Sequence, residues 1–202
     1  MFPSRAYGDY PMNKGPMVSE KFNLMQEYLN QKVVSEKTLA NSKYFSDISS
    51  RVAKAMGLLP EESLQLFLGG IRNILFKIVS DPKLPFGMKT VSSGSSRSRI
   101  YNVLICEECG EWPESRFLGA ILRELGNVIA EIPPEEEWPK IRGERARFKE
   151  FLELQADCRL WRWGLRHYDM AYLVATFPSH WVDRIVADIQ KLLEITDSQC
   201  SD

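Results

Sequence analysis

Phe117-Leu118-Gly119-Ala120-Ile121-Leu122-Arg123-Glu124-Leu125-Gly126-Asn127-Val128-Ile129 sets three polar residues into an otherwise apolar run. The apolar positions before and after Arg123-Glu124-Leu125-Gly126-Asn127 predict one helix from Pro113 to Ile132. Four residues separate Arg123 from Asn127, so both side chains project from one face of that helix. A permanent cation and an amide are therefore presented together along a largely apolar helix.

Upstream, Ile100-Tyr101-Asn102-Val103-Leu104-Ile105-Cys106 is short and rich in branched and aromatic residues, and it reads as the clearest strand in the chain. Downstream, Glu150-Phe151-Leu152-Glu153-Leu154-Gln155-Ala156-Asp157 lies in a long helix predicted from Glu144 to about Tyr168. Glu153 and Asp157 are also four apart, so they share a helix face. A short helix over Met170 to Thr176 and a last one from Pro178 to about Ile195 follow.

Zinc peptidases of the H-E-x-x-H type place two histidines at i and i+4 on one helix face, with the intervening Glu as general base. Arg123-Glu124-Leu125-Gly126-Asn127 resembles that motif as His-Glu-Leu-Gly-His with both histidines replaced. The Glu153-to-Asp157 segment is similar to the Glu-x-x-Ala-Asp helix of the gluzincin metallopeptidases. In that family the Glu is the third zinc ligand and the Asp a carboxylate behind the ligands. The resemblance covers about residues 99–168 and has the family's order of strand, Glu-Leu-Gly helix, loop and Glu-x-x-Ala-Asp helix. It implies a zincin-like helical core with a short sheet. Arg123, Asn127, Glu153 and Asp157 then stand at former metal-site positions, and Glu124 is a vestigial general base.

The replacements change the chemistry that the resemblance implies. Catalytic zinc takes about three protein ligands and an open position for water. Arg123 binds no metal, and Asn127 is a poor ligand. The chain's two histidines are His167 and His180. On an unbroken helix His167 would lie roughly 21 Å beyond Glu153. No zinc or other cofactor is expected, and Arg123 is expected to face Glu153 or Asp157 as a guanidinium in the metal's place, with Asn127 adding an amide hydrogen bond. The implied function is that of a catalytically inactive metallopeptidase-like protein that binds or regulates a protein partner. Two other readings stay open. One is an active metal-dependent hydrolase with a displaced site built from Glu124, Glu153, Asp157 and a thiol or histidine. The other is a structural or nucleic-acid-associated module.

With 202 residues, 44% hydrophobic and 26% charged, the chain can bury a sizeable core. The predicted class is α+β and predominantly helical, divided into a flexible leader (1–17), an N-terminal helical segment (18–87), a Ser/Arg-rich loop (88–99), the metallopeptidase-like core (100–196) and a tail (197–202). Within the N-terminal segment, helices are predicted from Ser19 through Val33, from about Ser46 to Met56, and from Pro60 to about Val79. A formal charge of -1 offers no global field toward nucleic acid or anionic membrane. Apolar runs such as Leu66 to Ile71 are far short of a membrane span, and the N-terminus lacks the pattern of a signal peptide, so a cytoplasmic address is expected.

Cys106 and Cys109 form one C-x-x-C after the strand, a weak alternative zinc site that lacks a second pair of ligands. The aromatic residues Phe148, Phe151, Trp161, Trp163, Tyr168, Tyr172 and Trp181 are expected to fill the core at helical spacing. Glu131 and Glu135 to Glu137, followed by Lys140, Arg142, Arg145 and Arg147, read as a solvated charged loop with partner recognition as the alternative.

Overall fold

A computed structural model describes residues 27–29, 32–35, 43–80, 84, 87–95 and 98–199, with only the backbone at 33–35, 43 and 196–199. The expected leader at 1–17 and most of the expected first helix lie outside those residues. The described elements in chain order are β1 (Val33–Ser35), α1 (Lys43–Gly57), α2 (Glu61–Leu68), β2 (Asn73–Val79), β3 (Met88–Ser93), β4 (Ile100–Cys106), α3 (Glu114–Ile129), α4 (Arg142–Arg162), α5 (Arg166–Thr176) and α6 (Ser179–Gln199). Single 3-10 turns occupy Glu107–Glu111 and Glu135–Glu137. The protein is predominantly helical with one small mixed sheet, as expected.

The sheet has the order β1-β2-β4-β3. β2 runs parallel to β4 from Asn73 opposite Ile100 to Val79 opposite Cys106, and β3 closes antiparallel on β4 from Met88 opposite Ile105 to Ser93 opposite Ile100. β1 is parallel to β2, joined to it by the crossover through α1 and α2. Ile74, Phe76 and Ile78 of β2 and Tyr101, Val103 and Ile105 of β4 are buried, while the alternate residues, apart from the terminal Cys106, are half-buried or exposed. The period of two marks one strongly buried face.

Three predicted elements of the N-terminal half differ. Helix α2 stops at Leu68, not Val79, because Gly69-Gly70 follow and Gly70 takes φ 71°; beyond them the apolar residues alternate as a strand. Residues 88–93, expected in a polar loop, form β3, and Val33, expected in a helix, begins β1. Sequence polarity hid β3 because its buried residues include Thr90 and Ser92, whose hydroxyls bond the carbonyls of Glu124 (3.4 Å) and Ile132 (3.0 Å). The sheet consequently hydrogen-bonds across the boundary expected at 88–99, joining β2 to the 100–196 portion.

The long helix expected to reach Tyr168 ends at Arg162. Gly164 has φ 74°, its N–H bonds the Trp161 carbonyl, and Leu165 N–H bonds the Leu160 carbonyl. That pair of bonds with buried Leu160 and Leu165 is a Schellman stop, and it frees α5 to take its own direction. At the other end of the chain, α6 continues into the expected tail as far as Gln199.

Helix α3 is the hub of the core. It packs against α1, β3, α4 and α5. Phe117, Leu118, Ile121, Leu122, Leu125 and Val128 are buried, and so are Arg123 and Asn127. A helix buried nearly all round must neutralise its own polar side chains locally.

Candidate functional site

Arg123 is 6% exposed, and its guanidinium enters a nest of carboxylates from two other helices. Its Nε donates to Asp157 Oδ1 and its Nη2 to Asp157 Oδ2 at 3.1 Å, so the pair is bidentate. Nη2 also lies 3.3 Å from Glu153 Oε2, and Nε lies 3.7 Å from Asp169 Oδ1. The ring of Tyr172 stacks against the guanidinium, 4.9 Å from centroid to carbon. Arg123 thus meets both predicted carboxylates, each one helical turn from the other on α4.

Asp169 and Tyr172, both from α5, were not anticipated. Asp169 is fully buried, and its Oδ2 accepts the Trp161 indole N–H at 2.8 Å. The available signal was a lone acid three residues before a tyrosine on a short apolar helix. Asn127 departs from expectation: its Oδ1 is buried and has no hydrogen-bond partner among the described residues.

Burial works against the charge of Arg123, but Asp157 and then Glu153 more than compensate, raising its pKa well above the usual arginine value. Burial pushes Asp157 up to about 8, with Arg123 pulling down and Asp169 pushing up. Asp169 is raised chiefly by burial as well. One guanidinium cannot neutralise several adjacent carboxylates, so the Asp157–Asp169 pair retains a proton. Asp169 Oδ1 has no hydrogen-bond donor among the described residues, the Arg123 Nε being 3.7 Å away.

This arrangement gives stability a pH dependence. The folded pair binds its proton more tightly than the unfolded carboxylates near pH 4, so stability is lost as pH rises from there through about 8. Each pH unit costs up to about 1.4 kcal/mol per retained proton. Urea unfolding between pH 5 and 8 is expected to show that fall, and Asp169→Asn to flatten it by about one proton. An unchanged slope in Asp169→Asn would mean that no proton is shared.

Glu124 projects toward β3, where its Oε2 accepts the Thr90 N–H at 2.7 Å. Burial, then the charge of Glu153, raises its pKa, against the two hydrogen bonds from Thr90 and the charge of Arg123. Glu124, Asn127 and Glu153 line one cavity of about 80 Å³ together with Thr90, Trp138 and Tyr172. Folding therefore assembles the motif residues of α3 with those of α4.

The donor set does not fit zinc. Arg123 occupies the space between Glu153 and Asp157, and no group of three or more His, Cys, Asp or Glu among the described residues is arranged to hold a metal. His167 and His180 are exposed near the starts of α5 and α6 and stack on Tyr168 and Trp181. The break at Gly164 also removes His167 from the helix that carries Glu153. Cys106 and Cys109 are buried free thiols; Cys109 donates to the Gly87 carbonyl at 3.2 Å, and burial pushes it up to about 12.

The acidic loop is not simply solvated. Glu131 pairs with Arg72, Glu137 lies 3.6 Å from Arg99, and Glu135 receives Lys89 at 2.6 Å and Arg145 at 2.9 Å. The Lys89 contact, ahead of the others, lowers the Glu135 pKa. Two of the aromatic residues assigned to the core are about half exposed, Phe151 at 51% and Trp181 at 48%. They line a groove of about 550 Å³ between α4 and α6 whose floor reaches Arg123 and Asp157.

The fold and site define an α+β, mainly helical protein built around an arginine–carboxylate cluster. Compared with protein-family models, curated proteins and solved structures, the chain matches none. Among the described residues, no helix is long and apolar enough to cross a membrane.

Proposed function

We propose that this chain is a non-catalytic, metallopeptidase-like protein in which Arg123 takes the place of the metal, and that it acts by binding a protein partner. The observation that carries the reading is the guanidinium of Arg123 held between Glu153 and Asp157. These three residues, with Asn127 and Glu124, are the ones that the motif resemblance singles out, and they come from the two helices that it names. A fixed cation at the centre leaves Glu124 with no metal-activated water to deprotonate. The exposed Phe151 and Trp181 beside the cluster supply an aromatic surface of the kind that protein partners use. Buried thiols at Cys106, Cys109 and Cys158 with no disulfide among them suit a reducing, cytoplasmic setting.

Metal content tests the reading. The purified chain is expected to carry no stoichiometric zinc and to cleave no peptide. Arg123→His combined with Asn127→His should take up zinc and gain thermal stability when zinc is added, because a ligand bound only by the folded state stabilises it. A folded double variant that takes up no zinc sinks the scaffold assignment, and stoichiometric zinc with peptidase activity in the unaltered chain sinks the non-catalytic one.

A further inference from the structure

Helix α5 runs back along α4, with Asp169 bonded to Trp161 and Tyr172 stacked on the guanidinium that Glu153 holds. α6 therefore starts level with the early part of α4 and runs in the same direction, touching it where Cys158 Sγ lies 4.0 Å from the Ile189 carbonyl oxygen. Ahead of that contact the two helices frame the groove of about 550 Å³. Phe151 and Leu154 of α4 line it with Phe177 and with Trp181 and Ile185 of α6. Two half-exposed aromatic rings in an apolar strip are what the centre of a protein interface supplies.

The charges around the strip indicate what covers it. Arg147 and Lys149 stand toward the start of α4, and Asp188 stands toward the far end of the groove on α6. Between them lie Glu150 on α4 and Arg184 on α6. Arg123, Glu153 and Asp157 on the floor already answer one another. Arg147, Lys149 and Glu150 form no ion pair among the described residues, and Arg184 meets Asp188 only at 3.9 Å, with both side chains more than half exposed. A partner of one sign meets its own sign somewhere on this rim. A second copy does not. Turned about a two-fold axis oblique to both helices, it sets its Asp188 against Arg147 and Lys149 and its Arg184 against Glu150, and it receives the same contacts in return. The formal net charge of -1 leaves no long-range repulsion between copies.

The size of the face agrees. α4 and α6 have 21 residues each. Two such helices side by side present about 30 Å by about 20 Å, or roughly 600 Å². That reaches the lower bound for one side of a specific interface, also about 600 Å².

We infer that the groove between α4 and α6 is a self-association surface, on which a second copy of this chain seats its own Phe151 and Trp181. The inference rests on the reading that this surface binds protein, and it makes that protein the chain itself.

Sedimentation of the full chain over about 1 to 100 μM tests it. The mass is expected to rise with concentration from 23.3 kDa to twice that value. Trp181→Asp and Phe151→Asp change side chains already half in water, so both are expected to keep the circular dichroism of the unaltered chain. Each should weaken dimerisation about thirtyfold or more. Asp188→Lys is expected to weaken it about tenfold, and so is Arg147→Glu with Lys149→Glu. The three charge changes combined restore it, because the signs then exchange places between copies.

A chain that is monomeric at every concentration overturns the inference; if dodecanoate then moves the Trp181 indole N–H signal, the groove belongs to an amphiphile instead. A dimer that persists in the folded Trp181→Asp and Phe151→Asp variants, or that the combined charge exchange fails to restore, overturns it too. Zinc analysis of the same samples keeps the two readings apart. A metal-free monomer defeats self-association alone, whereas stoichiometric zinc with peptidase activity defeats the non-catalytic reading whatever the mass.

Discussion

Arg123→Met is expected to lower the unfolding free energy by about 3–5 kcal/mol at pH 7, the usual cost of stripping one partner from a buried ion pair. The side chain is 7% exposed and touches Asp157, Glu153 and Asp169, so its loss leaves the buried Asp157 and Asp169 with no cation beside them. For a domain of this size the melting temperature should fall by roughly 10 °C or more. Acid should narrow the deficit, because Asp157 and Asp169 escape by taking up protons. Arg123→Lys should fall between, since it keeps the charge and loses the two-pronged contact with Asp157. Thermal and urea unfolding of both variants at pH 5 and 7 measure this, and a loss below about 1 kcal/mol for Arg123→Met would show that the cluster is not what holds α3 to α4 and α5.

The second large effect concerns a glycine outside the motif. A Cβ at Gly119 would run into the Tyr168 carbonyl oxygen and lie 2.8 Å from Tyr172 Cβ, so α3 and α5 would have to separate. Gly119→Ala is expected to cost about 2–3 kcal/mol, at the upper end of overpacking penalties because part of the obstacle is backbone. Gly126, the glycine of Glu-Leu-Gly, faces the opposite outcome. A Cβ there meets Ala156 and Leu160 only at 3.6 Å, an ordinary contact. Gly126→Ala should therefore be neutral or stabilise by up to about 1 kcal/mol through helix propensity. Denaturant unfolding of the two variants side by side decides the matter. Equal effects would mean that the α3–α5 approach is looser than the 2.8 Å separation requires.

The contrast between the glycines reflects what was legible in the residues. Spacing of four places Arg123 with Asn127 and Glu153 with Asp157, and the electrostatic need of a buried carboxylate is enough to pair the two helices. The partners from α5 were not legible in that way. Asp169 and Tyr172 reach Arg123 only because the chain reverses at Gly164, and a helix assumed to continue through that glycine carries them elsewhere. Asn127 is expected to add an amide hydrogen bond, yet its Oδ1 is buried without a partner among the described residues, while the residue lines a cavity with Glu124 and Glu153.

The sheet shows the same division. β4 is plain from its branched and aromatic run, whereas the spacing in β2 suits a helix and the polarity of β3 a loop. Three- and four-residue spacings persist by chance in a short apolar stretch such as Asn73–Val79, and only pairing with β4 resolves the ambiguity. Thr90 and Ser92 look like loop residues until α3 and the turn that follows it supply the carbonyls of Glu124 and Ile132 that make their burial tolerable.

By itself, the sequence determined that α3 would be a buried helix with a cation in its middle, and that α4 would offer two acids on one face to meet it. Those facts follow from helical periodicity and from the cost of an unpaired buried charge, both local or pairwise. Tertiary structure alone decided that a third acid and a tyrosine join the cluster, that a strand edge holds Glu124, and that Glu124, Asn127 and Glu153 come to line one small cavity. Each of those depends on where the chain turns between elements, and contacts between residues far apart in the chain leave no periodic trace in it.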